Sequence, residues 1–324
     1  MYKRQDEEER IAELITQMRT RRERSVTGSG HTLAMTAAAC RLSPMASLNH
    51  KFGGLAGIQA IKALDDSHKQ SVAVKQTAKL FASIHDKIKA AAKSYMLTLE
   101  ADKVYESIAE FDAVWQQAKS IPSDDFTLPE IKQQTKQMWI ANTQVNFCAK
   151  AYPTVTMEHA DAAALSVLGG FLRNGYLHTA IREQGGAYGG GATQDSNTAA
   201  FKFYSYRDPR LAETLVDFDK AIDWMLENNH EDRHLEEAIL GVIGSMDKPG
   251  SPAGEAKSAF HDNLHGRTRE KLQQFRKQVL AVSMADLKRV TESYLKKGEA
   301  SVAVITSAAT HEAVGDLGLE VVHL

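Results

Sequence analysis

Two cysteines in 324 residues, Cys40 and Cys148, are too few for a disulfide framework. With no Cys-x-x-Cys spacing they offer no cysteine zinc site either, and such sparse use is compatible with a reducing compartment. Charge of one sign is also missing. Against 41 Asp and Glu stand 39 Lys and Arg, leaving a net charge of −2, so no basic field points to nucleic acid. The run Arg19, Arg21, Arg22 and Arg24 is offset within its own helical segment by Glu7, Glu8, Glu9, Glu13 and Glu23, which reads as a solvated face. No apolar run reaches signal or membrane-spanning length, and the N-terminus opens on Met1-Tyr2-Lys3-Arg4-Gln5-Asp6-Glu7-Glu8-Glu9. No nucleic-acid or membrane partner is therefore expected, and a cytoplasmic location is favoured.

What remains is a hydrophobic share of 43% and a charged share of 25%, the composition of a soluble globular protein long enough for two cores. Ile11, Leu14, Ile15 and Met18 share one helical face, so the chain opens inside a helix, as a fragment would. Ser43-Pro44 starts a second helix running through Ile61 to the Asp65-Asp66-Ser67 cluster, and another is expected from Gln70 to Ala92. Tyr95 to Leu99 reads as a strand and Asp102 to Lys119 as a helix. Ile121 to Pro129 is the best linker and divides the chain into domains 1–129 and 130–324.

Beyond it, Met138 to Ile140 and Val145 to Phe147 are strand-like, followed by a helix from His159 to Asn174 and a strand from Ala199 to Tyr206. Helices are expected over Pro209–Leu226, Asp232–Ser245, Pro252–Leu264, Thr268–Ala281 and Met284–Leu295, with Asp232 and Ser283 as N-caps, before a strand over Ala300–Thr306. The expected class is α+β: two α/β-sandwich domains, with helices packed on mixed, largely antiparallel sheets.

The most informative stretch is Ile181-Arg182-Glu183-Gln184-Gly185-Gly186-Ala187-Tyr188-Gly189-Gly190-Gly191, a cation and a phenol six positions apart in backbone that another chain can approach closely. It lacks the Gly-Lys-Ser/Thr ending of a phosphate loop, and it precedes a strand rather than a helix, the reverse of the order that cradles a pyrophosphate. The plainer alternative is a tight helix-to-strand turn with a buried Tyr188.

His230-Glu231-Asp232-Arg233-His234 fits H-E-x-x-H, in which two imidazoles one helical turn apart bind zinc. Asn228-Asn229 and Asp232 mark a helix junction there, which would leave His230 outside the helix carrying His234. His261 and His265 repeat the spacing without a base between them and read as a solvated helix end. His178, one turn before Arg182, could line the same cleft.

The glycine motif, together with Gly244 to Ala256, Trp139 to Phe147 and Phe52 to Ile58, resembles the C-terminal part of the insulinase/pitrilysin family of zinc peptidases, in its presequence-protease branch. The resemblance implies a clamshell of four related α/β domains whose zinc is held in the first half by H-x-x-E-H. No histidine here begins that motif. It therefore implies a half-chamber: the region 1–129 like part of the third domain, 130–324 like the fourth. No metal is expected in this chain, zinc lies in an N-terminal half or partner subunit, and the substrates are unfolded peptides.

The same resemblance puts Arg182 and Tyr188 on the family's arginine–tyrosine pair that reaches the scissile peptide, with Gly185, Gly186, Ala187, Gly189 and Gly190 beside the substrate. Attack on a peptide carbonyl builds an oxyanion, and a tyrosine hydroxyl and a guanidinium both donate to it. Alone the chain would be inactive. The competing expectations are a free-standing zincin built on His230, Glu231 and His234, and a non-catalytic scaffold of the same fold.

Overall fold

Alternation of small and large apolar residues builds the central sheet. The computed structural model describes residues 8–91, 94–100, 106, 108–110 and 127–324. Its strands are β1 (Lys136–Ile140), β2 (Phe147–Pro153), β3 (Gly189–Asp195), β4 (Ala200–Tyr206), β5 (Ser301–Thr306) and β6 (Glu320–His323), in the order β3-β4-β2-β5-β1-β6. β5 and β6 flank β1 in parallel, whereas β3, β4, β2 and β5 pair antiparallel in turn. The sheet is mixed and the class α+β, as expected.

Successive side chains of a strand point to opposite faces, and here both faces are buried. Met138, Cys148, Phe201, Phe203, Val302 and Val304 enter one core; their neighbours Trp139, Phe147, Ala149, Ala200, Ala303 and Ile305 enter the other. The first core is closed by α5 (Ala162–Leu172), a π-helix (Arg173–Gln184), α6 (Ala212–Glu227), α7 (Asp232–Met246), α9 (Arg269–Leu280), α10 (Met284–Val290) and a second π-helix (Thr291–Lys296). α8 (Pro252–Leu264) buries no residue, and α11 (Ala308–Val314) lies between β5 and β6.

The second core is closed by residues from Val26 onward in α1 (Glu8–Ala39), by α2 (Pro44–Gly53) and by α3 (Leu55–Ser67). α1 kinks at Ser29 (φ −129°, ψ 25°). One residue later a Cβ on Gly30 would lie 2.5 Å from the Phe147 ring, so only glycine lets the helix come this close.

Two compact units result. Arg19–Lys62, Leu128–Asp247 and Gln273–Leu324 form the unit that holds the sheet. In the other, made of Met1–Met18, Ala63–Thr127 and Lys248–Leu272, Ile11 and Ile15 of α1 and Val74 and Ala78 of α4 (Ser71–Ala90) are buried. Thr16 Oγ1 donates to Asp65 Oδ1 at 2.6 Å there, and the His68 ring meets Thr77 Oγ1 at 2.9 Å.

Helix starts with a polar cap form as expected. Ser43 and Ser251 accept from the N–H groups of Ala46 and Gly254, each ahead of a proline in the first turn, and Ser283 with Asp286 makes a reciprocal capping box. Elsewhere the structure differs. The helix expected from Ser43 to Ile61 breaks at Gly54 (ψ −164°). Tyr95–Leu99 is irregular rather than a strand, and the Asp102–Lys119 helix and the 121–129 linker lie largely outside the described residues. The strand expected at Val145 begins at Phe147 and runs on to Pro153. Glu231, not Asp232, occupies the α7 N-cap, without a side-chain bond.

Candidate functional site

The first π-helix carries the arginine of the glycine motif to its last turn. Its end is closed by backbone bonds one residue wider than the usual glycine cap of an α-helix: Gly186 N–H reaches Arg182 O at 3.1 Å, and Ala187 N–H reaches Ile181 O at 3.1 Å. Gly186 supplies the left-handed conformation this needs (φ 77°). Arg182 and Tyr188 leave the backbone on either side of the closure. Arg182 is exposed, and its guanidinium forms no ion pair among the described residues. His178 does not turn toward it; its Nδ1 lies 3.3 Å from Glu183 Oε1, five residues on, the spacing a π-helix brings together.

Tyr188 is 69% exposed, so the buried-tyrosine alternative does not hold. Its ring stands edge-on to Tyr206 (centroids 5.6 Å, 86°), and its N–H points to Arg207 O at 3.4 Å. Tyr206 is itself held: by Phe147 (5.9 Å), by His31 of α1 (4.7 Å), and through its hydroxyl, which donates to Gly28 O at 3.3 Å. Burial lowers the His31 pKa. Arg207 places its guanidinium over the Tyr206 ring at 5.4 Å and holds a left-handed backbone (φ 50°) that costs a non-glycine residue strain. Neither Tyr206 nor His31 stands out in the sequence. The one signal for the tyrosine is the period-two alternation of Ala200–Tyr206, which sets Tyr204 and Tyr206 on one face.

The glycines serve different ends. Gly189 to Gly191 are not a turn but the opening of edge strand β3, paired with Tyr206, Ser205 and Tyr204. A Cβ on Gly190 would meet Ile181 Cγ2 at 2.7 Å, whereas one on Gly189 would meet nothing within 4 Å. At Gly185 a Cβ would come 1.9 Å from Arg210 Nη2. The Ala187 side chain is buried in the first core.

Below the motif, the β4–α6 loop is tightly bonded. The buried Asp208 accepts from Arg210 N–H (3.0 Å) and from Thr214 Oγ1 (2.8 Å), and its backbone exchanges bonds with Asn146 (2.8 and 2.9 Å). Burial raises its pKa despite those donors. Arg210 Nη2 donates to Ala180 O at 3.2 Å and pairs with Asp217 Oδ2 at 3.1 Å.

The zincin expectation fails on geometry. His230 lies in the loop before α7, its Nε2 is 3.0 Å from Met225 O, and its ring is held against Trp224 (4.4 Å) and Phe171 (5.2 Å). His234 alone is helical, so the two imidazoles do not form a pair of zinc ligands. Among the described residues no group of three or more His, Cys, Asp or Glu could hold a metal. His261 and His265 are exposed at the end of α8. Among the described residues no helix is long and apolar enough to cross a membrane.

Comparison with known proteins gives the site its context. The sequence profile of the PreP C-terminal domain matches residues 136–308, and that of the associated region of subfamily C of the M16 peptidases matches residues 2–64. The mitochondrial presequence protease of Kluyveromyces lactis is 31% identical over 315 residues, covering 92% of this chain and 31% of that protein. That of Yarrowia lipolytica is 30% identical over 292 residues, covering 89% and 29%. The chain thus spans about a third of the length of these relatives. A putative M16-like peptidase from Alicyclobacillus acidocaldarius shares the fold, with a TM-score of 0.60 at 11% identity over 91% of this chain and 71% of that one. Both relatives are named as mitochondrial, which overturns the cytoplasmic expectation.

Proposed function

This chain belongs to the family of presequence-protease C-terminal domains, and from that premise we propose that it forms the half-chamber wall of a mitochondrial zinc endopeptidase that degrades unfolded peptides, presequences among them. Residues 130–324 act as the fourth domain and 1–129 as part of the third. Zinc and the H-x-x-E-H motif reside in an N-terminal half or partner subunit, and this chain alone is inactive. Its own part is to grip the peptide. Arg182 and the Tyr188 hydroxyl donate to the substrate carbonyl and stabilise the oxyanion that grows there, while the backbone of Gly185 to Gly190 lies beside the peptide.

The observation that carries this reading is Tyr188. A large aromatic side chain left 69% exposed is nonetheless held from two sides, by the Tyr206 ring and by Arg207 O. Tethering without burial spends no core on the phenol and leaves its hydroxyl for a ligand. In the enzyme assembled from this chain and its zinc-bearing half, Tyr188→Phe should lower kcat by about 10²–10³ with metal content and melting temperature unchanged. Full activity in that variant would remove the reading and favour a scaffold of the same fold.

A further inference from the structure

Arg210 lies outside the glycine motif, yet it is the side chain that fastens the motif to the rest of the sheet unit. From the β4–α6 loop its guanidinium crosses Gly185 so closely that no Cβ fits there (1.9 Å to Nη2). It ends on two anchors: Ala180 O, in the last turn of the π-helix (3.2 Å), and Asp217 of α6 (3.1 Å). Its own backbone is set by Asp208 Oδ1, which accepts its N–H at 3.0 Å, and by Asn146 Nδ2, which donates to its carbonyl at 3.3 Å. Arg182 and Tyr188 leave the chain within three residues of Gly185.

We infer that Arg210 is a positioning residue for the Arg182–Tyr188 pair. It fixes where the π-helix ends and so where the two donors point, without touching the substrate itself; the inference rests on the function proposed above for that pair. A planar fork suits the task, because a single guanidinium nitrogen reaches a carbonyl and a carboxylate on two different elements. Gly185 is then a glycine for the sake of Arg210 rather than of the substrate. Displacement of the donors by about 1 Å is enough to cost on the order of 10² in rate.

The test uses Arg210→Ala and Arg210→Lys in the assembled enzyme, each also in an Arg182→Ala/Tyr188→Phe background, together with the full chain carrying 3-fluorotyrosine at position 188. Arg210→Ala should lower kcat by roughly tenfold to a hundredfold while KM moves less than about twofold. The fluorine resonance at position 188 should shift or broaden with the fold retained. In the background lacking both donors the same substitution should cost less than about twofold, since residues acting as one unit are not additive. Arg210→Lys, charged but without the fork, should fall between and keeps the test alive if alanine unfolds the chain. An undiminished loss in the donor-free background, or an unmoved resonance, overturns the inference. If Tyr188→Phe proves harmless, the proposed function falls by itself, and the resonance alone decides whether Arg210 positions Tyr188.

Discussion

Gly189 and Gly190 stand side by side at the start of β3, and the structure assigns them opposite responses to one methyl group. In a regular element a glycine is less stable than alanine by about 0.5–1 kcal/mol, through the freedom it loses on folding. At Gly189 nothing within 4 Å opposes the added Cβ, so Gly189→Ala should gain up to that amount. At Gly190 the Cβ would stand 2.7 Å from Ile181 Cγ2. Forcing an extra carbon into a packed core costs about 1–3 kcal/mol, so Gly190→Ala should lose up to about 2 kcal/mol after the same gain is subtracted. Urea unfolding followed by tryptophan fluorescence reads the difference, with Trp139 buried in the sheet as reporter. In the assembled enzyme Gly189→Ala should nonetheless lower kcat/KM by about tenfold, because the open space is where a peptide backbone would pass. A destabilised Gly189→Ala would refute the packing argument, and a stabilised one with full activity would refute the reason given for the glycine.

Two further outcomes follow from contacts away from the motif. His230→Ala removes a hydrogen bond to Met225 O and two ring contacts, so it should destabilise the chain by about 1–3 kcal/mol and leave the zinc content of purified protein unchanged; a tightly held zinc lost in the variant would reinstate the zincin. Burial acts to raise the Asp195 pKa, but Lys202 at 2.6 Å and the N–H groups of Thr198 and Asn197 outweigh it and hold the carboxyl below its ordinary 3.8. A depressed folded pKa gives stability that is complete above the ordinary value and lost as pH falls through the lower one. Asp195→Asn should therefore flatten that acid limb of an unfolding curve while leaving its shape near neutrality unaltered.

Sequence reading succeeds where the local signal is also the physical cause. Ser43-Pro44, Ser251-Pro252 and Ser283 with Asp286 start helices because a serine oxygen satisfies an otherwise unpaired N–H, and those starts fall where expected. It fails where the cause is distant. Gly189 to Gly191 have no strand preference and form β3 through their ladder with β4. Tyr95 to Leu99 have the preference and form no strand, since a strand exists only by pairing. β6 pairs in parallel with β1, a partner about 180 residues earlier that no local window spans. In the site itself, Arg182 and Tyr188 stand out by residue type and glycine context. Tyr206, His31 and Arg210 do not, because an aromatic platform and a cation laid over a glycine are facts of three-dimensional neighbourhood.

The π-helix gives residue count a meaning it lacks in the hairpin turn at 196–199. Each residue of an ordinary helix turns the next by about 100°, and the wider ring slows that rotation over all 12 residues from Arg173 to Gln184. The bearing on which Arg182 leaves the helix is thus a running total kept from Arg173 onward. One residue removed anywhere before it would swing the guanidinium far round the axis, with every side chain of the motif still present. The segment works as a ruler read by angle, in which the chemistry depends as much on how many residues come before the arginine as on which they are.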